Sequence, residues 1–197
     1  MKRLLALVLV AALSVGVLAG CKKNDDLNND ELGAIDDAIK NEEPLVDETP
    51  VVEEANDVEY IIYVRYKDKP YLYDEYRTIK DNDNRIKDKT IEEFVIQELV
   101  NYGDQGDFIS AVPEGMKVLS VKKDGNNITV DLDEKILDAG LNHTDTIVGI
   151  GSIVNTLIPI NPDYKVQILV GGQVIDKLSG VEVNKPLEFF EVLFPDK

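Results

Sequence analysis

Aromatic residues are confined to one part of this 197-residue chain. All eight Tyr and all five Phe lie in residues 58–197, and there is no Trp. A folded core needs large apolar side chains, and this length is enough for one core, so the sequence predicts a single folded domain over residues 58–197. The chain has one Cys and one His, which excludes an intrachain disulfide and a tetrahedral Cys/His zinc site.

The first twenty residues have a different composition from the rest. Lys2 and Arg3 precede an almost wholly apolar run over residues 4–18, which is the layout of a secretory signal peptide and is short for a membrane span. The motif Leu18-Ala19-Gly20-Cys21 that follows resembles the bacterial lipobox. This resemblance implies that Cys21 receives a diacylglyceryl group and that the chain is cleaved before it. An ordinary signal peptide with a coincidental Cys, or an uncleaved anchor, are the alternatives.

Residues 21–57 form a strongly acidic segment. They contain 13 acidic residues, 3 basic residues and no aromatic residue, a composition that favours a disordered, self-repelling tether. Leu32, Ile35 and Ile39 lie at helical spacing and could form a short helix or a docking element.

The net charge narrows the range of partners. It is −17 for the whole chain, and loss of Lys2 and Arg3 with the leader would leave −19. Such a charge disfavours binding to nucleic acid. It also means that acyl chains on Cys21, rather than the protein surface, would hold the molecule to an anionic bilayer. We therefore expect a lipid-anchored protein on the extracytoplasmic face of a bacterial cell membrane.

Apolar patterns in residues 58–197 predict five strands and two helices. Residues 58–66 and 71–79 read as one hairpin, residues 118–122 and 128–132 as a second, and residues 165–170 as a further strand. This ββαββαβ order predicts an α+β domain of two layers, with two helices on one face of a mainly antiparallel sheet.

The boundaries of the two helices can also be read from the sequence. Thr90-Ile91-Glu92-Glu93 fits a capping box and starts the first helix. Thr144 or Asp145 can cap the second, which runs to about residue 158 and contains Gly149 and Gly151. We expect these small residues to permit close approach to the sheet or to another subunit. The apolar residues from 187 to 194 form a tail that must pack somewhere.

A few residues are candidates for chemistry. His143 precedes the second helix, but no motif supplies a nucleophile and a partner acid for it. Asp131 and Asp133, with Glu134 beside them, could act as acid and base or bind a cation, although the polar face of an amphipathic strand explains them better. The motif Asp81-Asn82-Asp83-Asn84 resembles the start of a calcium loop but lacks its glycine. We therefore predict no catalytic residue, no metal site, no cofactor and no enzymatic activity.

Tyrosine is concentrated in the first hairpin. Six of the eight Tyr lie between Tyr60 and Tyr76, more than one hairpin face is expected to bury. Exposed Tyr favours contact with a partner or stacking on sugar rings, whereas cross-strand packing is the alternative.

Several segments together resemble one family, the GerMN domain of sporulation and spore germination proteins. Residues 71–79 resemble the second strand of the family, and Arg77 lies at the usual place in that strand. The order and spacing of six segments carry the resemblance, which spans residues 60–187: residues 71–79, 109–121, 124–132, 153–157, 169–172 and 183–187. The loop Asn101-Tyr102-Gly103-Asp104 lacks the proline that the family usually has there.

The resemblance implies a fold similar to ring-building motifs and a non-catalytic role. The expected function is a lipid-anchored interaction or scaffold module in sporulation or germination, with envelope or sporulation proteins, or further copies of itself, as partners. A module that binds peptidoglycan or a small ligand is the alternative.

Overall fold

The structure, a computed structural model, describes residues 55–195. The predicted signal peptide, Cys21 and the predicted tether up to residue 54 lie outside the described residues. Among the residues that it does describe, no helix is long and apolar enough to cross a membrane.

The described part of the chain contains nine strands and two α-helices. They are β1 (Asp57–Tyr66), β2 (Leu72–Lys80), α1 (Ile91–Val100), β3 (Asp104–Gln105), β4 (Phe108–Ile109), β5 (Val118–Asp124), β6 (Asn127–Leu132), α2 (His143–Leu157), β7 (Lys165–Val170), β8 (Lys177–Leu178) and β9 (Val181–Glu182). The predicted elements are all present, and the short pairs β3–β4 and β8–β9 are additions.

The first sheet is built on the hairpin of β1 and β2. Their antiparallel register runs from Asp57 opposite Lys80 to Arg65 opposite Leu72. The strand order is β2-β1-β4-β3, and β4 contacts only the end of β1, at Arg65 and Tyr66. Most of the second edge of β1 is therefore left to α2, where the Tyr63 amide donates a hydrogen bond of 3.0 Å to the Thr156 hydroxyl.

The second sheet has the order β5-β6-β7. β5 and β6 are an antiparallel hairpin with a register shift at Leu119, whereas β6 and β7 are parallel. Parallel neighbours need a long crossover, and α2 lies within it. The α+β class and the mainly antiparallel pairing are confirmed. One correction follows: the strands form separate sheets rather than the single sheet we predicted.

The predicted start of α1 is confirmed. The Glu93 amide donates to the Thr90 hydroxyl over 3.2 Å, and the Thr90 amide donates to the Glu93 carboxylate over 2.9 Å. These two bonds satisfy amides that have no partner within the helix. The apolar face of α1 then packs against β1, β5 and α2, with Phe94 and Leu99 fully buried.

Loss of the Thr90 hydroxyl should destabilise the protein measurably. Thr90→Ala leaves the Glu93 amide without its acceptor, and we expect the free energy of unfolding to fall by about 1 kcal/mol. Urea denaturation followed by circular dichroism would measure this. Thr90→Ser keeps the hydroxyl and should unfold like the unaltered protein; an equal loss in both variants would contradict the capping role.

The structure corrects the predicted cap of α2. Asn142, rather than Thr144 or Asp145, caps it by accepting a hydrogen bond of 2.8 Å from the Asp145 amide. The helix is also buried on nearly every side from Thr146 onward, so it lacks a single apolar stripe.

The glycines of α2 permit close approach of other parts of this chain. A Cβ atom at Gly149 would lie 2.7 Å from the Pro113 ring, and one at Gly151 would lie 2.1 Å from the Leu193 side chain. The loop before β5 and the C-terminal tail therefore occupy the positions that we had expected a sheet or another subunit to occupy.

Candidate functional site

The carboxylates that were candidates for catalysis support loops. Asp131 accepts a hydrogen bond of 2.8 Å from the Gly172 amide. Asp133 accepts one of 3.0 Å from the Lys135 amide and so caps the short 3₁₀ helix Glu134–Asp138. Glu134 is exposed. The two aspartates therefore have defined structural partners in the loops that follow β6 and β7.

His143 and the calcium-like motif also have structural contacts. His143 is the first residue of α2, and its Nδ1 lies 3.1 Å from the Ser179 carbonyl oxygen. Asp83 accepts hydrogen bonds from the amide, Nε and a terminal nitrogen of Arg85 at 2.8–3.2 Å. Within residues 55–195, no group of three or more His, Cys, Asp or Glu side chains could hold a metal ion.

Arg77 lies at the centre of a charged cluster that joins β2 to α1. Its guanidinium donates to Glu75 over 2.7 Å and to Glu98 over 3.4 Å, and it lies 5.1 Å from the centre of the Tyr102 ring. The hydroxyl of Tyr102 donates to Glu75 over 2.6 Å, and that of Tyr60 donates to Glu98 over 3.2 Å. Acceptors and donors are thus paired within the cluster.

The two tyrosines of this cluster are held in their neutral form. Burial and the hydrogen bond to Glu75 raise the pKa of Tyr102 to about 12. Burial, followed by the charge of Glu98, likewise raises the pKa of Tyr60. A cluster of neutral phenols and paired charges therefore links β2 to α1.

Glu92 forms a second link, between α1 and the other sheet. Its side chain is nearly inaccessible, with the residue only 1% exposed. It accepts hydrogen bonds of 2.8 Å from Lys123 and 2.5 Å from Tyr164. Burial alone would raise the pKa of Glu92, but the hydrogen bonds from Lys123 and Tyr164 outweigh it and lower the pKa below its ordinary value. Glu92 is therefore an ionised, buried carboxylate with a structural role.

A surface concavity lies between α1 and β5. It is a groove of about 410 Å³, and Val100 and Leu119 contribute partly exposed apolar side chains to it. Asp88, Lys89 and Glu93 contribute charged side chains. β5 is an edge strand of its sheet, so the groove combines a helix, an open strand edge and a mixed lining.

Some tyrosine side chains of the first hairpin are packed in the domain, and others are exposed to solvent. Tyr60 and Tyr63 are buried. Tyr66 and Tyr73 each pack with Phe108 at a ring distance of 5.6 Å and with each other at 6.0 Å. Cross-strand and core packing therefore accounts for four of the six. Tyr76 is 74% exposed and Tyr71 is at the limit of exposure, so these two remain available for contacts.

Taken together, the described chain is an α+β domain with two helices, and its charged clusters join its secondary-structure elements to each other. A family model described as "Germane: Sporulation and spore germination" matches residues 61–176. The chain belongs to this family, as the resemblance implied.

Three solved structures are similar to the chain. A crystal structure of a candidate lipoprotein from Clostridium perfringens is 23% identical, with a TM-score of 0.42, over 67% of this chain and 87% of that one. The tandem GerMN domains of the Bacillus subtilis sporulation protein GerM are 20% identical, with a TM-score of 0.49, over 75% of this chain and 51% of that one. The first GerMN domain alone is 16% identical, with a TM-score of 0.48, over 66% and 97%. No curated protein matches.

Proposed function

We propose that this protein is a lipid-anchored interaction module on the extracytoplasmic face of the cell membrane, acting in sporulation or spore germination. The match of residues 61–176 to the sporulation and germination family carries the proposal. The candidate catalytic residues Asp131 and Asp133 support it, because their carboxylates are bonded to loop amides. The module acts by contact with envelope or sporulation proteins and transforms no substrate.

The proposed anchor is a lipid on Cys21. The sequence before this residue resembles a lipobox, and 13 acidic residues lie in the 37 positions that start with it. Each buried methylene adds about 0.8 kcal/mol of membrane affinity, so two or more acyl chains give firm attachment. The acidic tether is repelled by anionic lipids and keeps the folded domain away from the bilayer.

Cys21→Ser tests the anchor. We expect the unaltered protein in the membrane pellet and the variant in the soluble or released fraction, because serine accepts no thioether-linked lipid. Fractionation followed by immunoblotting would measure this. Gly20→Ala keeps a small residue before the Cys and should remain in the membrane. A Cys21→Ser protein that still sediments with membranes would contradict lipid anchoring.

A deletion strain tests the biological role. Loss of the gene should reduce spore formation or slow germination, and the unaltered gene should restore it. A deletion strain that sporulates and germinates at the wild-type rate would contradict the proposed role. The Cys21→Ser gene then shows whether attachment itself is needed.

The second candidate function is binding to peptidoglycan or to a small ligand of the envelope. The exposed Tyr76 favours it, because an aromatic face can stack on a sugar ring. We expect Tyr76→Ala to reduce retention on purified peptidoglycan several-fold. Thr78→Ala, an exposed position on the same strand, is the matched control. If the unaltered protein is not retained, this candidate is wrong.

A further inference from the structure

The C-terminal tail, defined as residues 188–195, contacts the domain as a peptide ligand contacts its receptor. It lies outside residues 61–176, which match the family, and its only regular element is the short 3₁₀ helix Glu191–Leu193. Just before the tail, the Leu187 amide bonds to the Val166 carbonyl over 2.8 Å. Glu188 follows, is exposed and lies 3.7 Å from the Lys165 ammonium, so the tail is joined to the domain through an accessible residue.

Asn155 on α2 binds the backbone of the tail. Its side chain is fully buried. Its Oδ1 accepts a hydrogen bond of 2.7 Å from the Phe190 amide, and its Nδ2 donates one of 3.3 Å to the Phe190 carbonyl. One amide side chain thus satisfies both polar groups of a single tail residue. Peptide sites hold the main chain in this way and leave specificity to the pockets beside it.

Apolar contacts lie on both sides of these hydrogen bonds between Asn155 and Phe190. The absence of a side chain at Gly151 provides the space for Leu193, since a Cβ there would lie 2.1 Å from its Cδ1. On the other side, Phe189 and Phe194 stack with an interplanar angle of 5°. Both rings meet Tyr63 edge-on at 5.6 and 5.7 Å. In contrast, Glu191 and Val192 are exposed, the latter to 77%, so the site contacts residues on both sides of this pair.

We propose that Tyr63, Gly151 and Asn155 form a peptide-binding site, here called the tail site. Its proposed ligand is the segment Phe-Phe-Glu-Val-Leu-Phe of residues 189–194 from a second copy, which takes the place of the chain's own tail. The same contacts serve both arrangements, because the tail leaves its own domain at the exposed Glu188. Exchange of an end segment between copies is a known route to dimers. The proposal does not depend on lipid anchoring or on a role in sporulation.

Two complementary variants test exchange between copies. Gly151→Val blocks the tail site and leaves a free tail, whereas Leu193→Asp spoils the tail and leaves a free site. Each is made in a Cys21→Ser chain, and folding is checked by circular dichroism. We expect each variant alone to be monomeric and an equimolar mixture to form a one-to-one complex by size-exclusion chromatography with light scattering. Val192→Asp, mixed with Gly151→Val in place of Leu193→Asp, should form no complex.

A labelled peptide of residues 187–197 provides the second measurement. It should bind the Leu193→Asp chain at least about tenfold more tightly than the Val192→Asp chain, whose own tail competes. If Leu193→Asp is unfolded alone, saturating peptide should restore its cooperative thermal transition. The proposal is overturned if the mixture forms no complex and the peptide binds the two chains equally. It is likewise overturned if the mixture forms no complex and the peptide does not restore folding of an unfolded Leu193→Asp chain.

Discussion

Phe94→Ala is expected to lower the free energy of unfolding by about 3–5 kcal/mol, the usual range for deleting a buried aromatic ring. Phe94 lies at the junction of the domain's layers. It is 1% exposed, and its ring meets Tyr60 edge-on at 5.2 Å. The helix that carries it packs against β1, β5 and α2. The cavity would therefore open where α1 packs against β1, β5 and α2. Urea denaturation followed by circular dichroism would measure the loss.

Tyr76→Ala is the matched control for this prediction. It also removes an aromatic ring from the domain, but the ring is largely exposed, so we expect a change within about 0.5 kcal/mol. Comparable losses in the two variants would show that Phe94 does not have the central position that the structure gives it.

Local signals in the sequence were sufficient for most of the secondary structure. The Thr90 capping box and the apolar patterns that predict the strands each involve groups that are close in the chain. The secondary structure at these places depends on hydrogen bonds and residue patterns within a few positions, so it can be predicted without knowledge of the fold. The short strands β3, β4, β8 and β9 have only two residues each. β3 pairs with β4, and β8 with β9, across tight turns, but two residues carry no periodic signal.

The arrangement of the strands was harder to predict. Alternation identifies a strand with one buried face, but it does not say which sheet the strand joins. The parallel neighbour β7 reaches β6 only after the chain has passed through α2. Likewise, the cap of α2 depends on which of several polar residues in Asn142-His143-Thr144-Asp145 takes the non-helical conformation. The neighbours of this segment decide the choice.

The contacts that join the elements were missed for a related reason. In the sequence, Glu92 reads as an acidic residue in the first turn of a helix, where it is favourable on an exposed surface. Its partners Lys123 and Tyr164 are 31 and 72 positions away. Asn155 likewise reads as a weak helix former, and only the folded tail reveals its role. Buried polar residues of this kind are the ones that sequence patterns identify least well.

The stability provided by Glu92 should depend on pH. Glu92→Gln keeps the shape of the side chain but removes its charge, and the buried bond to Lys123 then joins a neutral acceptor. At neutral pH we expect a loss toward the lower end of about 1.5–3 kcal/mol, the range for hydrogen bonds to charged groups, because the Lys123 side chain is 41% exposed.

The sign of this pH dependence follows from the lowered pKa of Glu92 in the folded protein, against its ordinary value of 4.5. Between the two pKa values the unfolded chain binds the proton more readily, so acidification favours unfolding. The contribution of Glu92 is complete above pH 4.5 and is lost as the pH falls through the folded-state value. The stability difference between the unaltered protein and Glu92→Gln should therefore shrink on acidification. Glu114→Gln, the same change at an exposed carboxylate, is the matched control. A difference that stays constant from neutral to acidic pH would mean that the charge of Glu92 does not stabilise the junction of α1 with the second sheet.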